Sequence, residues 1–339
     1  MKFLDLSGYM FSGKAAVSDL ISEFSGFSTP NYRSEFDLIR IPNGLADLKH
    51  ALVDEWSWIR ADAALRNFIK VTEVLGRSPS GLWEKLFYPG FGYSTKYQGF
   101  TKKTDKFVNR LTNGVWPIQW PYELPSLTPL AYAKLRVLSR MRGTHAWPEI
   151  AFHLCSGDEF IEQAKYYVED LLVGDLKDGA VHTIVTHNML EPFNPAASFC
   201  FFDSIKSIVV DRDIRDIYMT AITYSYGFND IVPLYSRIVG AFDIDLFIQR
   251  QRILRSKTDY SIKNNILRIR FEDLVLDYDQ ACQSIYTFLE LSEEEHKFKM
   301  KSFNPEDSRK NIGLWKNAPQ NLMRDIIKIQ QELPELCYQ

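Results

Sequence analysis

Cysteine is scarce in this chain of 339 residues, and its four copies lie far apart. No two of them form a C-x-x-C pair, and none stands at a zinc-ligand spacing from a histidine. This distribution indicates neither a zinc site nor a disulfide framework. We therefore expect a protein of a reducing compartment. The four are Cys155, Cys200, Cys282 and Cys337.

Long apolar runs and an excess of one charge are also missing. No segment approaches the ~20 apolar residues that a membrane-spanning helix needs, and no basic stretch at the start leads into an apolar one of secretory length. The formal net charge of -3 gives no general affinity for nucleic acid or for an anionic membrane. We expect a cytoplasmic protein with neither partner. The sequence has no heptad pattern, so it predicts no oligomeric state.

Apolar residues make up 45% of the chain, enough to bury one large core or two smaller ones. Short apolar segments at 182–186, 205–210 and 266–270 alternate with stretches of helical spacing. This alternation predicts an α/β fold, in which a mostly parallel central sheet is flanked by helices.

The segment from Ser78 to Pro125 has a different texture, because glycines and prolines interrupt it and aromatic residues lie between them. We expect a loop-rich insertion that packs over a site. Its rings either build a secondary core or stack on a sugar or a cationic acceptor. His145 is a further candidate for acceptor binding, with a surface or capping role as the plainer alternative. The rings are Trp83, Phe87, Tyr88, Phe91, Tyr93, Tyr97, Phe100, Trp116, Trp120 and Tyr122.

Residues 8–14 have the form G-x-x-x-x-G-K of a loop that binds phosphate, and Ala15 follows them. They follow the apolar stretch 3–6 and precede a run of helical spacing from Ala15 to Phe24, so an anion would lie at a helix N-terminus. The Ser or Thr that normally follows the lysine and holds Mg²⁺ is Ala15 here. This loop therefore predicts phosphate binding without a metal ligand at that position.

A second segment, 207–220, runs from an apolar strand into a dense charge cluster and then into a helix. Strand ends of this kind line the ligand crevice of open α/β sheets, where Arg212 and Thr220 could hold a phosphate. The charges could instead cap and solvate the helix start. A third alternative is that Asp211 holds Mg²⁺ in a nucleotide triphosphatase or kinase.

Four segments match, in order, the motifs of one enzyme family. They are Ser12–Ala15 in place of Ser-Gly-Thr-Thr, Arg212–Thr220 in place of R-x-P-R-D with a later hydroxyl, Arg270–Leu274 in place of R-Y-E-D-L, and Gly313–Asn317 as G-x-W-K-N. In this combination the chain resembles the sulfotransferases that use 3'-phosphoadenosine 5'-phosphosulfate. Each motif alone occurs often by chance. Four in sequence order make the resemblance specific.

The resemblance implies a single domain over 1–339 with a P-loop sulfotransferase-like fold. Its nucleotide-binding core would span about 1–45 and 175–325, and a helical and loop-rich insertion on the acceptor side about 46–174. The implied donor is 3'-phosphoadenosine 5'-phosphosulfate, the product is adenosine 3',5'-bisphosphate, and no metal is needed. The implied donor-binding residues are Ser12, Gly13, Lys14, Ala15, Ala16, Arg212, Thr220, Arg309, Lys310 and Trp315.

Two residues carry catalysis in this interpretation. Many members of the family have a basic residue at the position that Phe11 occupies here. Lys14, three residues later, would replace it and stabilise charge on the leaving oxygen. His187 lies in a segment that resembles the T-H-L-P motif, whose histidine removes the acceptor proton, and an imidazole suits that task. The alternative bases are the carboxylates of Glu35, Asp54 and Glu191.

The resulting hypothesis is transfer of a sulfuryl group to a hydroxyl or amine of a glycan or small-molecule acceptor. Charged and polar residues between the aromatic ones of the insertion favour such an acceptor over a steroid or phenol. Two other functions stay open at this point. One is a Mg²⁺-dependent kinase or nucleotide triphosphatase, and the other is an inactive relative that binds nucleotide without turnover.

Overall fold

The computed structural model describes residues 1–29, 35–118, 124, 127–142, 149–174, 181–223, 234–260 and 264–338. The chain forms two compact units. Unit 1 draws on Met1–Phe36, Lys177–Phe199 and Ser204–Gln339, and unit 2 on Asp37–Leu176 and Cys200–Asp203. All the motifs that carry the resemblance lie in unit 1. His145 lies outside the described residues.

Strands in the described part of the chain form two sheets. They are β1 (Lys2–Gly8), β2 (Phe27–Ser28), β3 (Gly114–Pro117), β4 (Glu149–Phe152), β5 (Thr183–His187), β6 (Ile205–Asp211) and β7 (Ile266–Arg270).

Helices precede and follow these strands along the described part of the chain. The α-helices are α1 (Lys14–Ile21), α2 (Leu45–Lys49), α3 (Trp58–Gly76), α4 (Leu82–Phe87), α5 (Tyr93–Lys96), α6 (Phe100–Leu111), α7 (Pro129–Arg142), α8 (Gly157–Val173), α9 (Ile214–Thr223), α10 (Leu234–Val239), α11 (Ile244–Ser256), α12 (Phe271–Leu276), α13 (Tyr278–Leu289), α14 (Pro305–Ser308) and α15 (Gln320–Glu332). A π-helical turn spans His50–Asp54, and short 3-10 turns include Arg309–Asn311 and Leu314–Asn317.

The sheet of unit 1 has five strands in the order β2-β5-β1-β6-β7, and every neighbouring pair is parallel. The predicted α/β fold with a parallel central sheet flanked by helices is thereby confirmed. A parallel sheet of this kind is covered by helices, and the central strand β1 is accordingly buried from Phe3 to Ser7. Leu4 and Leu6 belong to the same buried cluster as Val17 and Leu20 of α1.

A second apolar cluster in unit 1 holds α9 in place. Ile214, Ile217 and Tyr218 of α9 are buried together with Phe247 of α11 and Ile326 of α15. The charged residues at the start of α9 therefore begin an element whose apolar face is fixed by packing. This rigidity matters because the same helix carries the second predicted phosphate segment.

Unit 2 contains the region that we expected to be loop-rich. That expectation is wrong for 100–111, which forms the 12-residue helix α6. Phe100, Thr104, Phe107 and Leu111 are buried at helical spacing, so one face of α6 gains enough apolar contact to form a helix between glycine-rich turns. The Phe107 ring stacks on Tyr167 of α8 with centroids 4.7 Å apart. The strands β3 and β4 of the same unit pair antiparallel.

Across the described ranges, no helix combines the length and the apolar content that crossing a membrane would require.

Candidate functional site

The predicted site segments meet at one edge of the unit 1 sheet. In a parallel sheet, the carboxyl ends of all strands lie at the same edge. Gly8 pairs with Val210 next to the end of β6, Leu6 pairs with His187 at the end of β5, and Asp211 pairs with Arg270. The phosphate loop, the histidine segment, the charge cluster and the Arg270 segment therefore all leave the sheet together.

The phosphate loop is shaped by its two glycines. A Cβ on Gly8 would collide with the Ser12 hydroxyl, and one on Gly13 would lie 2.5 Å from the Phe271 ring. Gly13 also has a φ of 87°, a left-handed conformation that favours glycine. It immediately precedes Lys14, the first residue of α1, so the loop turns directly into a helix N-terminus. The first amides of a helix lack partners within the helix and attract anions.

Phe11 has a left-handed backbone with φ 64°, which is unusual for a residue other than glycine. Its carbonyl accepts a hydrogen bond from Nη1 of Arg212 at 3.0 Å. The strained turn of the loop is thus held by the arginine of the second predicted segment. Backbone strain of this type concentrates at functional sites.

Arg212 connects three segments of the chain. Its Nη1 also donates to the Thr220 hydroxyl at 3.2 Å, and its Nη2 donates to the carbonyl of Asn311 in the C-terminal segment. The guanidinium lies over the Phe271 ring, 5.3 Å from the centroid. Burial lowers the pKa of Arg212, and nearby acidic residues, Asp216 first among them, partly offset this. The structure therefore brings Arg212 and Thr220 together with the phosphate loop.

Among the buried polar atoms that have no hydrogen-bond partner in the described residues, two belong to the phosphate loop and to Arg212. They are the Ser12 hydroxyl in the phosphate loop and Nε of Arg212. Leaving such atoms unpaired costs free energy, so each example in a native structure calls for a ligand, a water or a special role. Both atoms can donate to an anion.

The C-terminal G-x-W-K-N segment is attached to α9. Asp216 accepts the amide hydrogens of Gly313 at 2.7 Å and of Trp315 at 3.2 Å. The Trp315 ring lies under the guanidinium of Arg215, 3.8 Å from its centroid, and Arg215 in turn forms a two-point ion pair with Asp213. Trp315 therefore contacts a buried arginine at the edge of the site.

The basic pair upstream of this segment is exposed. Arg309 forms a surface ion pair with Glu306 at 3.0 Å, and Lys310 is exposed to solvent. Surface pairs of this kind are worth little, so Arg309 is not tied down by it. Because Arg212 binds the carbonyl of the next residue, Asn311, the pair lies one peptide away from the Arg212 site.

Lys14 contacts a carboxylate that is distant in sequence. Its Nζ lies 3.1 Å from Oε1 of Glu35, which also accepts a hydrogen bond from the Asn188 side chain. The Lys14 side chain is 16% exposed and that of Glu35 is 35% exposed. Asn188 follows His187 and has a left-handed backbone with φ 48°. The structure thus joins Lys14 to one of the alternative bases.

His187 is fully buried, and its Nε2 lies 2.9 Å from the hydroxyl of Ser18 on α1. The turn that follows it is held by Asp5 of the central strand. The Asp5 carboxylate accepts the amide hydrogen of Met189 at 2.9 Å and the hydroxyl of Thr186 at 3.0 Å. The His187 side chain is therefore shielded from solvent and contacts α1 through Ser18.

Asp211, the possible magnesium ligand, is engaged by other groups. Arg255 contacts both of its carboxylate oxygens, one of them at 2.7 Å, and the Tyr338 hydroxyl donates to it at 3.3 Å. The same Arg255 guanidinium lies 3.6 Å from the centroid of the Tyr9 ring. Within the ranges that the structure describes, no three His, Cys, Asp or Glu residues group as a metal site would require.

Glu272 of the Arg270 segment is a buried carboxyl group beside the site. One oxygen accepts the amide hydrogen of Asp213 at 3.0 Å, and the other has no partner in the described part of the chain. Burial raises the pKa of Glu272 to about 7; the hydrogen bond from the Asp213 amide and the charge of Arg212 oppose this, while the charge of Asp213 adds to it. The group therefore titrates near neutral pH.

Some site residues escaped sequence reasoning because their signals are weak. Asp216 and Ser18 lie in helices, where a single charge or hydroxyl does not indicate a site. Asn311 contributes only a backbone carbonyl. Asn188 acts through its side chain from a position adjacent to a predicted one. Only the R-x-x-R-D pattern could have pointed to Asp216.

The aromatic residues of unit 2 divide into two groups. Tyr93 and Phe100 are buried, as expected for rings that build a secondary core. The Tyr93 hydroxyl accepts the amide hydrogen of Asp37. Trp83 and Phe87 on α4 are 72% and 61% exposed and stack on each other. Trp120 and Tyr122 lie outside the described residues.

Two solved structures are similar to this chain at low scores. The sulfotransferase domain from the olefin synthase of Synechococcus PCC 7002 aligns over 98% of this chain and 94% of its own, with 13% identity and a TM-score of 0.39. The sulfotransferase STF9 from Mycobacterium avium aligns over 98% and 75%, with 11% identity and a TM-score of 0.35. No family model and no curated protein matches. The function is therefore inferred from the residues of the site.

Proposed function

We propose that this chain is a sulfotransferase that moves a sulfuryl group from 3'-phosphoadenosine 5'-phosphosulfate to a hydroxyl or amine. The observation that carries the proposal is the convergence on Arg212. One guanidinium contacts the phosphate loop at Phe11, the hydroxyl of Thr220 and the C-terminal segment at Asn311. These three segments are those that the resemblance assigns to the donor.

The residues present fit such a donor. The Ser12 hydroxyl and Nε of Arg212 are buried donors without a partner among the described residues, which suits the binding of anionic oxygens. Ser12, Gly13, Ala15 and the start of α1 would bind the 5' side of the donor. The 3'-phosphate would be bound by Arg212, Thr220, Arg309 and Lys310. The Ala16 amide already donates to the Gly13 carbonyl at 3.0 Å, so its role is to shape the loop.

When bound, the donor supplies the sulfuryl group and departs as adenosine 3',5'-bisphosphate. Lys14 offsets charge that develops at the loop, because a positioned cation in a partly buried site stabilises it strongly. The acceptor proton needs a base with access to the acceptor. Glu35 is partly exposed beside Lys14, whereas His187 is fully buried against Ser18. We therefore assign proton removal to Glu35 and a supporting role to His187.

The contacts of Asp211 argue against the Mg²⁺-dependent alternative. Both of its carboxylate oxygens contact Arg255, and a charge pair of this depth is costly to break. Ala15 offers no hydroxyl to a metal. An inactive relative that binds nucleotide differs from the proposed enzyme only in turnover, so a measurement of turnover separates the two.

The proposed acceptor class is supported by an observation on unit 2 considered by itself. Exposed rings such as Trp83 and Phe87 are of the kind that stack on sugar faces or cations. We propose a glycan or other small-molecule acceptor in a cytoplasmic setting.

The test has two stages. Isothermal titration without magnesium is expected to show binding of adenosine 3',5'-bisphosphate by the wild-type protein, and at least tenfold weaker binding by R212A. The surface variant R252A, which removes an exposed arginine paired with Glu332, is the matched control. A panel of glycan, alcohol and amine acceptors with labelled donor then reports sulfated product by mass. Magnesium-dependent ATP hydrolysis without bisphosphate binding would disprove the proposal.

A further inference from the structure

The loop formed by residues 311–317 is held at several points by the segment around the start of α9. Asp216 binds two of its amides, those of Gly313 and Trp315. Arg212 binds the carbonyl of Asn311, and Arg215 covers the Trp315 ring. The contacts of Asp216 and Arg212 reach the backbone, so they fix the path of the loop whatever side chains it carries.

Asp216 is the most buried of these contacts, with 0% of its surface exposed. A buried carboxylate is costly unless its charge is satisfied by hydrogen bonds or by an opposite charge. Here the two amide hydrogens and the nearby Arg212 provide that compensation, while burial raises the pKa of Asp216. The carboxylate and the loop are therefore energetically linked, because moving the loop would leave the carboxylate uncompensated.

We propose that Asp216 is the positioning residue for the 3'-phosphate, because it holds the loop that follows Arg309 and Lys310 against Arg212 and Thr220. This inference rests on the proposed function. Asp216 does not contact the phosphate in this scheme. It acts through the loop, and it joins residues that are far apart in sequence into one anion site.

The proposal makes a prediction with an unusual sign. Asp216 carries a negative charge close to Arg212, so removal of that charge alone should strengthen the binding of an anion nearby. If Asp216 positions the loop, the same change must weaken binding, because the basic pair loses its place. The substitution D216N therefore separates an electrostatic effect from a positioning effect by the direction of the change in Kd.

The experiment is isothermal titration of wild-type protein and D216N with adenosine 3',5'-bisphosphate and with adenosine 5'-monophosphate. We expect D216N to weaken the bisphosphate at least tenfold and to change the monophosphate, which lacks the 3'-phosphate, less than twofold. The control is D325N, because Asp325 of α15 accepts a hydrogen bond at 2.7 Å from the hydroxyl of Tyr218, which lies on the same helix as Asp216. It should leave both Kd values unchanged. D216E keeps the charge but displaces it by one methylene, and should also weaken the bisphosphate.

Three outcomes overturn the proposal. One is bisphosphate binding by D216N that is unchanged or tighter. Another is an equal loss of both nucleotides, which marks a general structural role. The third is unchanged hydrogen exchange at the Gly313 and Trp315 amides of D216N, since a released loop must exchange faster than in D325N. If the wild-type protein binds neither nucleotide, both the proposed function and the role of Asp216 in phosphate binding are wrong. Hydrogen exchange at the Gly313 and Trp315 amides then still shows whether Asp216 holds the loop.

Discussion

Nζ of Lys14 lies 3.1 Å from Oε1 of Glu35, so the cation of the phosphate loop contacts a carboxylate 21 positions later in sequence. In the proposed sulfuryl transfer, this pair would supply one charge to stabilise developing negative charge and one to take a proton. The Asn188 side chain donates a hydrogen bond to the same oxygen of Glu35. The arrangement leads to the first prediction.

E35Q is expected to lower kcat by about 10²-fold or more while leaving the Kd for adenosine 3',5'-bisphosphate within about threefold of wild type. The glutamine keeps the shape and loses the basicity. K14A should also lower kcat strongly, with a smaller effect on binding. Steady-state kinetics and titration of the same preparations provide the measurement. K328A, which removes a surface lysine paired with Asp245, serves as control.

The comparison with His187 decides the identity of the base. If H187A abolishes turnover and E35Q retains most of it, the assignment to Glu35 is wrong, and the buried histidine must become accessible during the reaction. The pH profile of kcat/KM in the active variant then identifies the remaining base.

Gly13 provides a second prediction. In G13A the new Cβ would lie 2.5 Å from the Phe271 ring at a φ of 87°, so both space and backbone oppose it. The left-handed conformation alone costs a residue with a Cβ roughly 1–2 kcal/mol. We expect lower stability in urea unfolding and at least tenfold weaker bisphosphate binding. G81A is the matched control, because nothing lies within 4 Å of its Cβ and Gly81 has a φ of -81°. Equal behaviour of the two variants would contradict the role given to Gly13.

Ala15 provides a third prediction. This residue is exposed at the start of α1, so a serine fits there without disturbing the core. We expect A15S to keep its activity within about twofold and to gain no dependence on magnesium, since Asp211 remains engaged by Arg255. Activity assays with EDTA and with added magnesium measure this. Loss of wild-type activity in EDTA would favour the kinase or triphosphatase alternative.

Glu272 provides a prediction about pH. Its folded-state pKa is raised to about 7, above the ordinary value of a glutamate. The folded state therefore binds a proton that the unfolded state releases first. The associated stability is present at acidic pH below the unfolded pKa and is lost as the pH rises through about 7.

E272Q removes this titration and keeps an oxygen for the Asp213 amide. The free energy of unfolding of E272Q, relative to wild type, should therefore increase between pH 5 and pH 8. Each unit of pKa difference corresponds to about 1.4 kcal/mol. Urea unfolding at several pH values tests this. A difference that is independent of pH would show that Glu272 has an ordinary pKa in the folded state.

Much of the core of unit 1 was predictable from sequence, because its signals are local. The segments at 205–210 and 266–270 are strands, as their short apolar runs predicted, and Gly13 precedes a helix as the loop motif predicted. The helix α6 was missed, since flanking glycines and prolines obscured the spacing of Phe100, Thr104 and Phe107. A short sequence pattern predicts a strand or a helix well when a single spacing of apolar residues dominates it.

The sequence by itself determined that the phosphate loop, Arg212 and the Arg270 segment follow strands, because the order of strand, loop and helix is a local property. Their meeting at one sheet edge was decided by the parallel pairing of β1, β6 and β7. Only the tertiary structure decided which partners these residues take. Glu35 and Asn188 are 153 positions apart, and Arg212 and Asn311 are 99 apart. Such contacts depend on how helices pack on the sheet, and no periodicity along the chain encodes a single hydrogen bond across that distance.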